Sequence, residues 1–213
     1  MPKPSIRKPP RPARTRRRAP SQERSIELVR TLLDATAQVL TEVGIEKLST
    51  NKVAKRAGVA VGSIYQYFPN KEALMDALVE DRMQRLGSLV ADRMAALESN
   101  SFPAATEAIL RAVIDFLAGE SGLVPVLMSR ALYASEGTVA GQLRVGAETA
   151  ARSFLERMED RTVLDIDLAV FVSTNIAGLF GALLAHPSID DDRRDRVITE
   201  IVRMLSNWMA TSR

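Results

Sequence analysis

A short segment, residues 49–71, brings together side chains that could bind a nucleic-acid backbone. It reads STNKVAKRAGVAVGSIYQYFPNK. Thr50 stands where a helix would begin, so its hydroxyl and the free backbone N–H groups could both meet a phosphate. Further hydroxyl groups and one cation follow at Ser63, Tyr65, Tyr67 and Lys71. These residue types are those that proteins use to hold a phosphate backbone.

The same segment offers side chains that could read bases. Gln pairs bidentately with adenine, and Val contacts the methyl group of thymine. We predict that Val61, Gly62 and Gln66 face the bases, while the hydroxyl groups and Lys71 hold the backbone. The stretch 60–67 carries no Arg, the residue that most often contacts guanine.

Residues needed for most catalytic and metal sites are scarce. The 213-residue chain has no Cys and one His, which excludes disulfides, thiolate metal sites and thiol nucleophiles. Its 11 Gly form no phosphate-binding loop. Asp190, Asp191 and Asp192 are explained as the acidic first turn of a helix with Ser188 as its N-cap. We therefore predict no enzyme activity, no cofactor and no metal site.

Positive charge is concentrated at the N-terminus. Residues 1–24 carry nine Lys or Arg and one Glu, so the net charge of +3 leaves the remaining chain acidic. Six of the ten Pro residues lie in the same stretch. A segment rich in Pro and Arg cannot form a core, which predicts a disordered basic arm over residues 1–20. The arm is either a plain leader or a contact to DNA phosphates or the minor groove.

Apolar residues recur at intervals of three and four along the rest of the chain, and no strand alternation is visible. The pattern predicts an all-α fold with about nine helices. Their approximate ranges are 21–43, 49–56, 60–67, 70–98, 103–119, 121–134, 138–160, 165–185 and 189–211.

The two short helices around Gly58 have the spacing of a helix-turn-helix. Ala54 permits close crossing of the helices, and Gly58 permits a left-handed turn between them. We expect the Leu residues of the preceding helix to pack against Val53, Val59 and Ile64. The second short helix would then enter the major groove. From spacing alone, a plain three-helix corner remains the alternative.

The run TNKVAKRAGVAVGSIYQYFPNKEAL resembles the DNA-binding domain of the tetracycline-repressor-like (TetR/AcrR) transcriptional regulators. That family carries the pattern T-x-x-(I/V)-A-x-x-A-G-V-S-x-G-(T/S)-(L/I)-Y-x-(H/Y)-F-x-(S/N)-K. The matching residues are Thr50, Val53, Ala54, Ala57, Gly58, Val59, Gly62, Ser63, Ile64, Tyr65, Tyr67, Phe68, Asn70 and Lys71. Ala60 departs from the Ser or Thr that usually caps the recognition helix.

The resemblance implies a three-helix DNA-binding domain, 21–69, and a C-terminal ligand-binding and dimerisation domain, 70–213. It implies a cytoplasmic homodimer on a palindromic operator of double-stranded DNA, with a small-molecule effector. The last two helices carry small residues and a long apolar stripe that suit an intersubunit four-helix bundle. The predicted interface residues are Gly178, Gly181, Ala182, Ala185, Ile201, Leu205 and Trp208. An intramolecular core is the alternative for the same residues.

An effector pocket would draw on apolar side chains with a few polar groups. The predicted lining residues are Phe116, Val126, Met128, Arg130, Tyr133, Phe154, Met158, Phe171 and Asn175. Ordinary core packing is the alternative for the apolar ones, and a surface ion pair is the alternative for Arg130. The uncharged stretch 168–185 is long enough to approach a membrane span, but its polar residues and acidic flanks favour a buried helix.

The sequence therefore predicts a homodimeric repressor that a small hydrophobic ligand releases from its operator. One alternative is a ligand-independent regulator or activator of the same fold. Another is a helical small-molecule-binding protein that has lost DNA recognition, since residues 25–80 carry about as many acidic as basic side chains.

Overall fold

The computed structural model describes residues 19–97, 101–120, 122–132, 139–157 and 165–211. These residues form nine helices and no strand, as the apolar periodicity predicts. The helices are α1 (Ala19–Val43), α2 (Thr50–Ala57), α3 (Val61–Tyr65), α4 (Lys71–Ala95), α5 (Phe102–Gly119), α6 (Val124–Leu132), α7 (Val139–Arg157), α8 (Ile166–Leu184) and α9 (Asp191–Thr211). Residues 19 and 20 of the predicted arm belong to α1, and residues 1–18 lie outside the described residues.

Local capping explains several helix ends. Gly44, with φ of 75°, ends α1 in the left-handed conformation that glycine adopts without strain. Asn70 accepts a hydrogen bond from the Ala73 backbone N–H at 2.7 Å and begins α4. Asp190 accepts one from the Arg193 N–H at 2.7 Å and begins α9. The prediction that Ser188 caps α9 was wrong, because its Oγ lies 2.8 Å from His186 Nδ1 instead.

Buried apolar side chains form two clusters, and the first of them crosses the predicted domain boundary. The first cluster joins α1–α4 to side chains from α5, α6 and the segment between them, among them Leu117, Leu123 and Leu127. The second cluster joins α5 to α7, α8 and α9. Helix α5 contributes to both clusters, so it connects the N-terminal three helices to the C-terminal bundle. The division at residues 69 and 70 stays a prediction.

Candidate nucleic-acid interface

Helices α2 and α3 are held against α1 by fully buried side chains. Val53 and Ile64 are both 0 % exposed and share a cluster with Leu32, which is also 0 % exposed. Gly58 ends α2 with φ of 69°, which provides the left-handed turn that the sequence predicts. Val59 is partly buried against the same cluster. The arrangement confirms the predicted packing of the two short helices.

The second short helix, α3, is shorter than the predicted range 60–67. Ala60 occupies its N-cap and has no side-chain hydrogen bond to offer. At the other end, the backbone N–H groups of Tyr67 and Phe68 both donate to the Ile64 carbonyl, at 3.0 and 2.9 Å. This turn ends the helix after Tyr65, so Gln66 and Tyr67 lie just beyond it.

The hydroxyl groups predicted to meet phosphates lie close together across α2 and α3. Thr50 Oγ1 and Tyr65 Oη are 3.2 Å apart, and 52 % of Tyr65 is exposed. The Ser25 hydroxyl of α1 donates to Tyr67 Oη at 3.1 Å, so Tyr67 is oriented by α1. Thr50 begins α2, as predicted. These contacts orient both tyrosine hydroxyls without enclosing Tyr65.

Lys71 begins α4 and is half-buried. Among the described residues it takes part in no ion pair, so its ammonium group is available for a phosphate. On α2, Lys52 Nζ donates to the Lys47 carbonyl at 2.8 Å. Arg56 pairs with Glu42 of α1 at 2.5 Å, which directs that guanidinium towards α1.

The residues predicted to read bases occupy different environments. Gln66 is exposed, and Gly62 is exposed with open space around the position of a Cβ. Val61 packs partly against the first cluster, and Ser63 is half-buried with its N–H bound to the Ala60 carbonyl at 2.9 Å. Of the three residues predicted to read bases, Gly62 and Gln66 are therefore more accessible than Val61. The base contacts of all three stay a prediction, as does the phosphate contact of Ser63.

One charged residue outside the predicted sites is buried on α4. Only 4 % of Arg82, on α4, is exposed. Its Nη2 donates to Asp34 Oδ1 of α1 at 2.9 Å, and its Nη1 donates to Asp81 Oδ2 at 2.5 Å. Its Nε lies 2.9 Å from Glu120 Oε1, at the end of α5. A signal was present in the sequence, because Leu74, Leu78 and Arg82 follow the spacing of a buried helix face.

Burial alone would lower the pKa of Arg82, because it removes water from the charged guanidinium. The hydrogen bond to Asp34 and the charges of Glu120 and Asp81 outweigh burial and raise the pKa above its ordinary value. Arg82 is therefore a permanent cation that joins three helices.

The residues predicted to line an effector pocket are distributed over several environments. Phe116 and Val126 pack against the first cluster, while Phe154 is buried in the second. Met128 is half-buried. In contrast, Phe171 is 62 % exposed. The pocket stays a prediction, and its apolar members are shared between the two clusters and the surface.

The polar residues of the predicted pocket make contacts within the chain. Arg130 Nη1 lies 2.9 Å from Asp76 Oδ1, and both side chains are about half exposed, as in the surface-pair alternative. Asn175 is exposed, and its Nδ2 donates to the Phe171 carbonyl at 2.8 Å. Tyr133 and Met158 lie outside the described residues.

The small residues predicted to form a dimer interface mostly face the chain's own core. A Cβ at Gly181 would meet Val113 Cγ1 of α5 at 2.3 Å. Ala185 is buried in the first cluster, and Ala182 packs partly against it. Buried Ile201 and Leu205 lie in the second cluster, with Trp208 packed partly against it, and Gly178 has open space around its Cβ position.

A different stripe of α8 is exposed. Leu168, Phe171, Leu179 and Leu183 are between 48 and 62 % exposed. A groove of about 740 Å³ lies between α8 and α9, and its floor includes Ile176, Phe180, Val197, Ile201, Met204 and Leu205. Among the described helices, α8 is also the one long and apolar enough to cross a membrane. The opposite side of α8 packs in the second cluster through residues that include Val170 and Leu184.

These observations define an all-helical protein whose N-terminal helix-turn-helix presents a polar face. Residues 32–78 match the family described as bacterial regulatory proteins, tetR family, and residues 101–208 match the tetracyclin repressor-like C-terminal domain. The chain belongs to the TetR family of bacterial transcriptional regulators, which bind DNA and are not enzymes.

Curated relatives are similar over less than half of the chain. The nucleoid occlusion factor SlmA of Haemophilus ducreyi is 35 % identical over 92 residues, 43 % of this chain and 45 % of that protein. The regulator BetI of Escherichia coli is 36 % identical over 86 residues, 40 % of this chain and 42 % of that protein. The matches thus span less than half the length of these relatives.

Solved structures match over most of the chain. A Rhodococcus protein of unknown function has a TM-score of 0.71 at 20 % identity, covering 86 % of this chain and 96 % of that one. FadR of Bacillus subtilis in complex with stearoyl-CoA has a TM-score of 0.62 at 18 % identity, covering 86 % and 98 %. At these identities the likeness establishes the fold.

Proposed function

We propose that the protein is a cytoplasmic homodimeric repressor that binds a palindromic operator and is released from it by a small hydrophobic ligand. The observation that carries the DNA-binding part is the position of α3, which is fixed on α1 through Ile64 while Tyr65 and Gln66 stay exposed. A rigidly held short helix with an accessible polar face fits the major groove.

The electrostatic part of binding is assigned to separate groups. Lys71 and the hydroxyls of Thr50 and Tyr65 contact phosphates, and they position α3 without selecting a sequence. The basic residues of the arm add attraction to any DNA, which compensates for the nearly balanced charge of the helix-turn-helix. Gln66 then supplies base selection.

The apolar stripe of α8 supports a second copy of this chain as the partner. Helix α8 has 19 residues and is therefore about 28 Å long, and Leu168, Phe171, Leu179 and Leu183 run along it on one exposed side. The same helix also lines the apolar groove against α9. A self-complementary apolar face of this length suits an isologous two-fold interface. A two-fold dimer would place two α3 helices on the two halves of a palindrome.

The dimer is tested with Phe171→Glu, which places a charge on the apolar stripe. We expect dimer affinity to fall by more than about tenfold, because the carboxylate would lose water without gaining a partner. The matched control is Ile26→Glu, at a position on α1 that is 57 % exposed and lies outside the stripe. Sedimentation equilibrium measures both. Equal dissociation constants for the two variants would refute this interface.

The effector is proposed to be small and hydrophobic because the C-terminal helices supply apolar walls with few polar groups. A ligand that prefers a dimer with a different α3 separation would lower operator affinity by population shift. The stearoyl-CoA complex of the similarly folded FadR supports including acyl thioesters among the compounds tested.

The experiment that tests the proposed function has two stages. Sequences enriched by the protein from a random duplex library are identified first, and their affinities are measured by fluorescence anisotropy against scrambled duplex at two salt concentrations. A compound panel that includes stearoyl-CoA is then added. Enrichment of a palindrome with ligand-dependent release supports the proposal. Equal affinity for both duplexes would refute sequence-specific binding.

Two alternatives are separated by the same experiment. Specific binding that no compound changes favours a ligand-independent regulator of the same fold, and transcription in vitro from the selected site distinguishes activation from repression. Ligand binding without any enriched sequence favours a helical protein that has lost DNA recognition.

A further inference from the structure

The contact between the end of α5 and the N-terminal helices combines an ion pair with close backbone approach. Glu120 follows α5 and reaches Arg82 of α4, while Arg82 is also bonded to Asp34 of α1. Two residues further along, a Cβ at Gly122 would meet Thr41 Oγ1 of α1 at 2.3 Å. The chain after α5 therefore lies directly against α1 and α4.

The three bonds of Arg82 are not equivalent. Its Nη1 and Nη2 atoms donate hydrogen bonds to Asp81 of α4 and Asp34 of α1. Helices α1–α4 share the first cluster and are called the α1–α4 unit below. Its Nε atom is buried and forms no hydrogen bond, although Glu120 Oε1 lies only 2.9 Å away. The N–H direction is therefore poor, and Glu120 is held by charge attraction rather than by a directed bond. Glu120 is the partner that can leave at the lowest cost.

The surrounding apolar contacts cannot fix the position of α5 alone. Leu117, Leu123 and Leu127 join the first cluster, but apolar attraction has no preferred direction and permits small sliding. The charged cluster adds one specific point of attachment, at Glu120. It contains the carboxylates of Asp34, Asp81 and Glu120 and the guanidinium groups of Arg82 and Arg85, so it carries one more negative than positive charge.

We propose that Glu120 and Arg82 are positioning residues for DNA binding: their releasable contact fixes the α1–α4 unit relative to α5 and so sets the separation of the two α3 helices. Movement of α5 is transmitted to the DNA-reading helices through this contact. The inference rests on the proposed function, because a separation matters only for a dimer on DNA. Without the contact, only a fraction of the dimers has the α3 separation that binds the operator. The apparent operator affinity then falls in proportion to that fraction.

The test replaces Glu120 with Gln, which keeps the side-chain shape but removes its charge. Glu120→Asp keeps the charge. Glu107→Gln is the matched control, because Glu107 lies on α5 itself but pairs with Arg111 at the surface. The chain has no Cys, so Lys55→Cys, at an exposed position of α2, gives one spin-label site per protomer. Operator affinity, the label-to-label distance distribution without DNA, and the thermal midpoint are measured for each variant.

We expect Glu120→Gln to weaken operator binding by about fivefold to tenfold and to broaden the distance distribution. Glu120→Asp should recover part of both, and Glu107→Gln should match the parent protein. Unchanged affinity and distances in Glu120→Gln would overturn the inference. A lower thermal midpoint with unchanged distances and unchanged affinity per active protomer would also overturn it. That result would mean that Glu120 only stabilises the fold. If Glu120→Gln changes neither affinity nor distances while the parent protein selects an operator, only this inference is refuted. A parent protein that selects no sequence removes both proposals.

Discussion

Gly181 offers a direct test of which surface of α8 faces the chain itself. An added methyl group at this position would lie 2.3 Å from Val113 Cγ1 and 3.1 Å from Val113 Cβ. Both residues are buried, so neither side chain can move into solvent. Overpacking of this kind costs about 1–3 kcal/mol, and the higher helix propensity of Ala returns up to about 1 kcal/mol. We therefore expect Gly181→Ala to lower the free energy of unfolding by about 1–2 kcal/mol.

Val113→Ala removes the atom that the new methyl group would strike. By itself the change should cost about 2 kcal/mol, because two buried methyl groups are lost. In the double variant, the methyl group of residue 181 occupies the vacated space. The double variant should therefore be more stable than additivity predicts by about 1–2 kcal/mol.

Urea unfolding at several protein concentrations measures this coupling separately from dimer dissociation, because only the latter depends on concentration. If the losses of unfolding free energy in the two single variants add within about 0.5 kcal/mol, the contact between Gly181 and Val113 is refuted. A Gly181→Ala effect confined to the concentration dependence, with no rescue by Val113→Ala, would place Gly181 in the interface that the sequence predicts.

Three further predictions concern DNA binding and its scaffold. Gly58→Ala should cost about 1–2 kcal/mol of unfolding free energy in urea, because only its φ of 69° is unfavourable and no atom lies near the new Cβ; the open helical position Gly62 is the control, and equal costs would contradict the backbone argument. Lys71→Ala should weaken binding to all sequences alike, whereas Gln66→Ala should change the sequences enriched from a library; an altered consensus for Lys71→Ala would contradict the phosphate assignment. Deletion of residues 1–18, which leaves α1 intact, should lower DNA affinity and flatten its dependence on salt, and an unchanged slope in anisotropy titrations would exclude the arm from the interface.

Local sequence information was sufficient for the helix-turn-helix. Gly44 and Gly58 both adopt the left-handed conformation that ends a helix, and Val53 and Ile64 are fully buried, because spacing and backbone preference decide such features within a few residues. The end of α3 was less predictable. The turn formed by Tyr67 and Phe68 on the Ile64 carbonyl competes with one more helical turn, and periodicity does not distinguish the two.

The sequence by itself determined the all-helical architecture and the family, since these follow from short-range patterns. The tertiary structure decided which side of each helix is buried. Gly181 contacts α5 rather than solvent, Phe171 is exposed rather than enclosed, and Arg82 is buried among carboxylates from three segments. Apolar periodicity marks a helix face but not its partner. Val113 lies far from Gly181 in the chain, and Asp34 and Glu120 lie far from Arg82.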